Sequence, residues 1–528
     1  PPSATSSRAA AWRSRRIDLL RPTGNVRRMS SARAAPATPP LPAPRVPPAL
    51  AVVAVFVVIH LIAAIFVGLG FDEAYYWTWS RHLSASYYDH PPMVAWWIRA
   101  GTAILGDNPL GVRILFVLAM APISAALYWT GALLFDRLTA TFAVAFLNAT
   151  LVFGVLGFVA SPDAPSVLFW TLAILALALI YAHGDQRWWL GVGLAAGLGV
   201  LSKLTALFLG PTLLVAAAAL QRLRVSFLRP WLWLGGLVAL LVVLPMLLWN
   251  IDHGFMTWNK QFGRLGTPGF KPTSPFEFVG TVFLVLNPAV SILAGFAALL
   301  WRRRRPRDAG LGLLLVTVAP MLAFLLVAAF RQRIEANWPA PLYPTLALVG
   351  AVGAARVTEA LRGRRFLAWY RDIAFPFGLG ATIVATFLMI NPGNLVPARY
   401  DLGRTFRAWG EFSGAVERAR GLAGAAWIAP TSYDATAELA FHLRGSGVPV
   451  VGIAERQRYV FAPPPDPALL AKPALLVSKG SDATRLQRCF ATVRPVAEIS
   501  RSNAAGEYER FYAFKGEGAK PALFAEGC

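Results

Sequence analysis

The chain has 528 residues, of which 56% are hydrophobic and only 15% are charged. Soluble domains usually carry about 25% charged residues, so this composition excludes an ordinary soluble protein and predicts one that crosses a membrane many times. The formal net charge of +23 would suggest a nucleic-acid partner in a soluble protein. Here the positions of the basic residues favour a signal for membrane orientation, and we expect no nucleic-acid partner.

Residues 1–47 are rich in Arg, Ser, Pro and Ala and are predicted to form a disordered N-terminal tail, in which Met29 is a candidate translation start. The first apolar run begins near Pro48, far from the terminus, and is long enough to span a bilayer, which is atypical of a cleavable signal peptide. The two cysteines, Cys489 and Cys528, match no metal or redox spacing. We expect two free thiols, with a disulfide as the alternative.

Residues 48–391 are predicted to be a transmembrane domain, because a bilayer-spanning helix needs about 20 apolar residues. Eleven segments fit this requirement approximately: 49–70, 110–134, 140–159, 164–182, 188–202, 204–220, 231–249, 277–300, 310–330, 338–356 and 373–391. The two segments on either side of Lys203 are short and are predicted to be part-helices that meet at a break.

Basic residues cluster in connections that fall on one side of this eleven-span plan. They are Arg222, Arg224, Arg229, the RRRRPR run at 302–307, Arg362, Arg364, Arg365 and Arg371. Short loops rich in Lys and Arg face the cytoplasm. The plan therefore predicts a cytoplasmic N-terminus and a C-terminus on the outer side.

Residues 392–528 have a different composition, with short apolar runs separated by polar turns. WIAPTSYDATAELAFHL (427–443) is typical of a strand followed by a helix, and VPVVGI and PALLVSKG are typical of further strands. We expect a small α/β domain on the outer face. The predicted fold class is mainly α: a polytopic helix bundle with this C-terminal α/β domain.

The predicted outer connections carry distinctive polar motifs, whereas most inner connections carry mainly Arg. The outer motifs are FDEAYY (71–76), SPDAP (161–165), LSKLT (201–205), WNIDHGF (249–255) and RIEANWPAPLYP (333–344). This asymmetry predicts one outward-facing site that several loops build together.

Each of these residues also has a simpler interpretation. On this interpretation Asp72 and Glu73 are solvated loop acids, and Asp163 caps a helix. Lys203 extends its ammonium to the membrane interface, and His90 belongs to a turn before two prolines. Arg333 and Glu335 would pair with each other, and the Trp and Tyr residues near span ends would form an interfacial belt. A lysine at membrane depth is nevertheless a functional hypothesis by default.

Together, the acids and basic residues of the outer motifs suit transfer of a group from a lipid phosphate to an acceptor hydroxyl. A carboxylate at the membrane surface is a candidate general base, and nearby Lys and Arg can hold a phosphate. Cationic side chains would stabilise the charge that develops on the leaving phosphate. This chemistry does not identify the transferred group as a sugar.

These motifs give the chain a resemblance to a known family. DEAYYWTWSRHLSASYYDHPPMVAWWIRAGTAILGDNPLGVRI, SPDAP, GLGVLSKLTALFLGP, WNIDHGF and RIEANWPAPLYP resemble, in the same order, motifs of the membrane glycosyltransferases related to protein O-mannosyltransferases and the lipid A aminoarabinose transferase. The resemblance covers roughly residues 50–350, and TSYDATAELAFHLRG is similar to the outer domain of bacterial members. It implies a GT-C-type fold in the bacterial inner membrane, a polyprenyl-phosphate-linked sugar as donor, and catalysis on the periplasmic face.

The resemblance also implies residue roles. Asp72 matches the catalytic acid of the family, and Glu73 is its neighbour. Asp163 matches a second acidic motif that supports the acceptor or a metal. Lys203 and Arg333 match positions near the lipid phosphate. We also expect Tyr88 and His90 at the donor, and Asp89, Asn250, His253 and Glu335 at the substrate. The aminoarabinose transferase has a lysine where this chain has His90, so the chain is more similar to the generic branch that includes galacturonosyl and other lipid A or polysaccharide transferases.

The expected reaction is inverting displacement at the anomeric carbon, with Asp72 as base and a glycolipid such as lipid A or its core, a polysaccharide or a protein as acceptor. Asp72 and Asp163 are candidate ligands for a divalent cation such as Mg²⁺, Mn²⁺ or Ca²⁺. The alternative function is a transporter or flippase for a lipid-linked sugar. That function predicts polar residues along a path across the membrane, and only Lys203 lies within an apolar stretch in this way.

Overall fold

The computed structural model describes residues 48–263, 270–303, 308–359, 365–391, 395–504 and 506–524. The predicted tail 1–47, Arg362, Arg364, Cys528 and most of the basic run at 302–307 lie outside the described residues. Residues Val46–Cys528 form one compact unit, so the helical part and the C-terminal part can be described in one frame.

The described chain is mainly helical, with one small sheet near its C-terminus. The helices are α1 (Pro48–Phe66), α2 (Phe71–Arg81), α3 (Met93–Leu105), α4 (Pro109–Leu134), α5 (Arg137–Asn148), α6 (Leu151–Leu156), α7 (Asp163–His183), α8 (Trp188–Ser202), α9 (Leu209–Ala219), α10 (Pro230–Asp252), α11 (Met256–Phe262), α12 (Ser274–Val285), α13 (Pro288–Arg303), α14 (Ala309–Ala329), α15 (Tyr343–Glu359), α16 (Arg365–Ile390), α17 (Trp409–Ala423), α18 (Tyr433–His442) and α19 (Pro467–Leu470). The strands are β1 (Trp427–Pro430), β2 (Ala474–Ser478), β3 (Phe490–Asn503) and β4 (Gly506–Ala519).

Within the described ranges, seven helical segments are long and apolar enough to cross a membrane: Pro48–Phe66, Pro109–Leu134, Asp163–His183, Pro230–Asp252, Ala309–Ala329, Ala340–Val357 and Arg365–Ile390. Two bent pairs, Leu204–Ala219 with Gln221–Leu228 and Ser274–Val285 with Pro288–Arg303, raise the count to nine if each is one span. The predicted polytopic helical fold is confirmed, with seven to nine spans by this measure rather than eleven.

The two remaining predicted spans correspond to shorter helices. The segment 140–159 is divided between α5 and α6, because Thr150 begins a new helix by accepting a hydrogen bond from the Phe153 amide at 3.3 Å. The segment 188–202 is α8, which has 15 residues. Lys203 follows α8 in an extended conformation and separates it from the short 3₁₀ helix Leu204–Phe208, so a break at Lys203 is present as predicted.

Small residues allow α8 to pack closely against α10. A Cβ atom at Gly193 would lie only 1.9 Å from the carbonyl oxygen of Gly235. Because no side chain larger than hydrogen fits between backbones at that separation, glycine is required at Gly193. This contact holds the first half of α8 against α10.

The C-terminal sheet has the strand order β1-β2-β4-β3. β1 and β2 are parallel, and Val450 adds a single parallel bridge to Ile428, whereas β4 is antiparallel to both β2 and β3. One face packs on α17 and α18 through Trp409, Phe412, Leu439, Leu475 and Phe511. The predicted strand–helix unit β1–α18 and strand β2 are therefore present, whereas VPVVGI contributes only the bridge.

The aromatic side chains after Asp72 are buried in protein. Tyr75, Trp77 and Trp79 of α2 share an apolar cluster with Phe441 of α18 and with Tyr459. The simpler interpretation as an interfacial belt is wrong for these three aromatics, because the C-terminal part covers them. Helix α2 is thus held between the helix bundle and the sheet.

The prediction of a free thiol at Cys489 is also wrong. Cys489 is buried and disulfide-bonded. Its place at the start of β3, beside the apolar cluster around Trp427 and Phe490, gives the sheet a covalent restraint.

Candidate active site

Helix α2 positions the paired acids of FDEAYY, and its geometry separates them. Consecutive residues of a helix point about 100° apart, so the two side chains cannot face the same way. Asp72 lines a cavity of about 320 Å³, whereas Glu73 points into the protein and is buried. Gly70 begins the helix, and its amide donates to the Glu73 carboxylate at 2.9 Å.

Glu73 forms a buried ion pair with Arg113 at the start of α4, with a closest N–O distance of 2.5 Å. Its carboxylate also accepts a hydrogen bond from the Ala160 amide at 2.8 Å, just before the SPDAP motif. Arg113 donates in addition to the carbonyl oxygens of Val67 and Gly68, each at 2.6 Å. Glu73 therefore joins three segments and holds α2, and it is absent from the cavity lining.

The cavity gathers residues from the separate outer motifs. Its polar lining comprises Asp72, Tyr76, Asp89, His90, Ser161, Asp163, Lys203, Thr205, Gln261, Glu335 and Asn337. The first, second, third and last polar motifs thus meet in one place, as the sequence predicts for a site made of several loops.

Asp163 and Lys203 form an ion pair inside this cavity. The Lys203 ammonium donates to one Asp163 oxygen at 2.6 Å, and the Asn337 amide donates to the other at 3.0 Å. The Lys203 side chain is only 7% exposed, so a charge partner is required. An ammonium has three N–H donors, and the pair leaves Lys203 with donors for a further anion.

A second polar cluster connects the DHPP turn to the C-terminal part. Arg458 donates to the Asp89 carboxylate at 2.6 Å, and the Tyr75 hydroxyl donates to the same oxygen at 3.0 Å. The Gln261 amide donates to the Asp89 carbonyl oxygen and lies 3.5 Å from the His90 Nδ1 atom. These contacts fix Asp89 and His90 at the cavity wall.

One side of the cavity is apolar. It is formed by Leu204, Phe208, Phe262, Phe324, Leu325 and Trp338. The rings of Phe208 and Phe324 lie 4.3 Å apart between centroids, and Phe324 belongs to the membrane-spanning helix α14. The cavity therefore offers carboxylates and an ammonium beside a surface suited to a hydrocarbon chain.

The ionisation of Asp72 is shifted by its surroundings. Its side chain is exposed to the cavity, but the cavity walls displace much of the bulk water. This desolvation raises the pKa of Asp72 to about 6, while the hydrogen bond donated by Tyr433 opposes the rise. A carboxylate with a pKa near neutral is suited to general-base work.

Four predicted residues lie elsewhere. Arg333 is exposed and pairs with Glu335 at 3.8 Å, and the Tyr88 ring lies next to the cations of Lys260 and Arg458. Asn250 is buried and donates to the Met246 carbonyl at 3.0 Å. His253 stacks on Trp249. None of these side chains, nor Glu73, is part of the cavity lining. Direct contact with a ligand in this cavity is therefore unsupported for them.

Sequence reasoning missed Tyr433 and Arg458, which reach the site from the C-terminal part. The Tyr433 hydroxyl donates to Asp72 Oδ1 at 3.2 Å, and the Arg458 guanidinium lies 4.2 Å from the centre of the Tyr433 ring. Asn337 belongs to the motif RIEANWPAPLYP, but its sequence context alone does not indicate that it bonds to Asp163. Nothing in the sequence around 433 or 458 indicates that these residues meet residues 72 and 89, because the contacts span more than 360 positions.

The predicted metal ligands, Asp72 and Asp163, do not make a dedicated metal site. Among the described residues no group of three or more His, Cys, Asp or Glu side chains is arranged to hold an ion. The Asp163 carboxylate is already neutralised by Lys203 and bonded by Asn337. Its remaining capacity for a divalent cation is therefore small.

Comparisons with known proteins are consistent with this geometry. The family model for dolichyl-phosphate-mannose-protein mannosyltransferases matches residues 89–249. The chain is similar to the lipid A galacturonosyltransferase RgtD of Rhizobium johnstonii, with 28% identity over 71% of this chain and 77% of that protein. It is also similar to undecaprenyl phosphate-alpha-4-amino-4-deoxy-L-arabinose arabinosyl transferase 1 of Pseudomonas fluorescens, with 27% identity over 60% of this chain and 59% of that protein.

Among solved structures, ArnT from Cupriavidus metallidurans has a similar fold. The form bound to undecaprenyl phosphate matches with a TM-score of 0.63 and 15% identity, covering 88% of this chain and 97% of that chain. The apo form matches with a TM-score of 0.61. The prediction of a polytopic membrane glycosyltransferase of the GT-C type is thereby confirmed.

Proposed function

We propose that this protein transfers a sugar from a polyprenyl-phosphate donor to a hydroxyl of a glycolipid acceptor of the lipid A class, at the periplasmic face of the bacterial inner membrane. The named activities of RgtD and of the arabinosyl transferase support the class of acceptor. The undecaprenyl phosphate bound by the similar ArnT structure supports the class of donor.

One observation carries the proposal. Asp72 lies in the same cavity as the Lys203–Asp163 pair and an apolar wall. A base, a cation and a lipid surface are what a sugar linked to a lipid phosphate requires. The acceptor hydroxyl gives its proton to Asp72 while its oxygen attacks the anomeric carbon from the side opposite the phosphate. The bond from that carbon to the phosphate oxygen breaks, and the configuration inverts.

The leaving polyprenyl phosphate gains negative charge as this bond breaks. Lys203 is placed to stabilise that charge with the N–H donors that Asp163 does not use. Asp163 and Asn337 act as positioning residues, because they hold the lysine rather than the substrate. The polyprenyl chain would lie against Phe208, Phe324 and Leu325.

A reconstituted assay tests this function against transport. Proteoliposomes would receive a polyprenyl-phosphate-linked sugar together with lipid A. Transfer predicts that one polyprenyl phosphate is released for each sugar attached. Movement of intact donor across the bilayer without consumption would contradict the proposal. Mass spectrometry of envelope lipids from cells with and without the gene would identify the sugar.

A further inference from the structure

A second cavity lies in the C-terminal part, at the carboxyl ends of its parallel strands. It has a volume of about 570 Å³ and is lined by Thr431 and Ser432 after β1, by 478–480 at the end of β2, and by 453–457 after the Val450 bridge. We call it the sheet-edge crevice. The carboxyl ends of parallel strands are where open α/β sheets bind their ligands, and the volume falls within the range of roughly 300–1,000 Å³ usual for small-molecule sites.

Arg456 is the unusual residue of this crevice. Its guanidinium is half-buried and lies 4.7 Å from the centre of the Phe524 ring, with one N–H donated to the Gly452 carbonyl at 2.9 Å. In the described parts of the chain, no carboxylate forms an ion pair with Arg456. A partly desolvated guanidinium that no described carboxylate neutralises favours an anionic ligand.

The other charges of the crevice are mostly compensated. Lys479 pairs with Asp434 and, at 2.7 Å, with Glu509, and Glu455 pairs with Arg458 at 2.5 Å. At the rim, exposed Asp482 accepts from the Thr484 amide, and Arg485 is exposed. Among the described residues, Asp482 is the one acid of the crevice without a cationic partner. Because the crevice also contains Arg456 and Arg485, its uncompensated charge is positive.

Two residues that line the crevice are directly followed in the chain by residues that contact the candidate active site. Ser432 lines the crevice, and the next residue, Tyr433, donates to Asp72. Gln457 lines the crevice, and the next residue, Arg458, donates to Asp89. A molecule that occupies the crevice therefore lies beside the chain neighbours of the residues that contact Asp72 and Asp89.

We propose that the sheet-edge crevice binds an anionic group of the acceptor saccharide, a carboxylate or a phosphate, through Arg456 and Arg485. The crevice then anchors one part of the acceptor while its reacting hydroxyl reaches Asp72. The assignment of the ligand to the acceptor rests on the proposed function. Hydroxyl groups at Thr431 and Ser478 would contact the sugar ring.

Acceptor kinetics of the full-length protein in proteoliposomes test this inference. With phosphorylated lipid A that carries an acidic core sugar as acceptor, we expect Arg456→Gln to raise KM on the order of tenfold, the effect of losing one charged hydrogen bond. The effect should fall on the acceptor KM rather than on kcat or donor KM. Arg485→Gln changes an exposed side chain and should also raise the acceptor KM. It replaces Arg456→Gln as the test variant if Arg456→Gln does not fold. Arg488→Gln, an exposed arginine outside the crevice, is the matched control.

The dephosphorylated form of the same acceptor separates the two sources of the anion. If phosphate is the bound group, dephosphorylation raises the wild-type KM and raises the Arg456→Gln KM by a smaller factor. If a sugar carboxylate is bound, dephosphorylation has no effect on the wild type, and Arg456→Gln still raises KM. Wild-type acceptor KM in both folded variants would overturn the inference. Continued sugar transfer by those variants would leave the proposed function intact.

Discussion

At the scale of single residues, Asp72 is surrounded by groups that act on its charge in opposite directions. Tyr433 donates to it and Arg458 lies nearby, and both favour the carboxylate, whereas desolvation, Asp89 and Glu73 favour the protonated acid. Tyr76 also faces this group of acids across the cavity lining. The balance leaves the pKa at about 6. Because a general base must be deprotonated, we expect kcat/KM to fall as the pH drops through about 6.

The variant Tyr433→Phe tests this balance. It removes the hydrogen bond that stabilises the Asp72 carboxylate and keeps the ring packing against Phe71 and Tyr75. The acidic limb of the pH–rate profile should therefore move to higher pH. Tyr400→Phe, at an exposed tyrosine, is the matched control. An unshifted limb in Tyr433→Phe would show that this contact does not tune the base.

Lys203 should act on the donor rather than on proton transfer. We expect Lys203→Met to weaken binding of polyprenyl phosphate about tenfold to a hundredfold, because hydrogen bonds to charged groups are worth about 1.5–3 kcal/mol. The double variant Lys203→Met with Asp163→Asn removes the acid that would otherwise be left unpaired. Binding of the lipid at wild-type strength in both variants would exclude the phosphate role.

At the scale of elements, helix α2 depends on the buried pair between Glu73 and Arg113. Removing one member of a buried pair strands the other charge and costs about 3–5 kcal/mol. We therefore expect Glu73→Gln to lower the unfolding temperature in detergent strongly, whereas Asp72→Asn leaves it nearly unchanged. Adding Arg113→Met to Glu73→Gln should recover part of the loss. Equal stability of Glu73→Gln and wild type would contradict the structural role.

The separation of Asp72 from Glu73 shows what the sequence can predict of the site. The motif indicates that acids matter at this position, but a pair of adjacent carboxylates does not reveal which one faces the cavity. Helix geometry and the position of Arg113 on α4 decide it. Similarly, the position of Lys203 at a break was predictable from its apolar surroundings, whereas its partner Asp163 depends on how α7 and α8 pack.

The long hairpin β3–β4 is an element of the fold that the sequence pattern does not predict. Its strands carry many charged, exposed residues, such as Arg494, Glu498 and Arg510, and these hide the apolar alternation that signals a strand. The apolar strands β1 and β2 were predictable from the same criterion. The aromatics of α2 look like interfacial residues in the sequence, and only the covering helix α18 explains their burial.

At the scale of the whole molecule, the proposed orientation places the C-terminal part outside the cytoplasm. In a variant without native cysteines, Ser446→Cys on the exposed loop after α18 should react with a membrane-impermeant maleimide in intact spheroplasts. Arg224→Cys, exposed in a predicted inner loop, should react only after permeabilisation. The opposite pattern would overturn the predicted topology.

We infer that Asp72 is the base of a glycosyl transfer from a polyprenyl-phosphate donor. The most direct measurement compares sugar transfer and donor binding by wild type and Asp72→Asn in proteoliposomes, with Asp252→Asn, an exposed acid outside the cavity lining, as control. We expect Asp72→Asn to lose transfer by a factor of about 10²–10⁴, the usual contribution of a general base, while donor binding persists. Transfer at the wild-type rate by Asp72→Asn would contradict it.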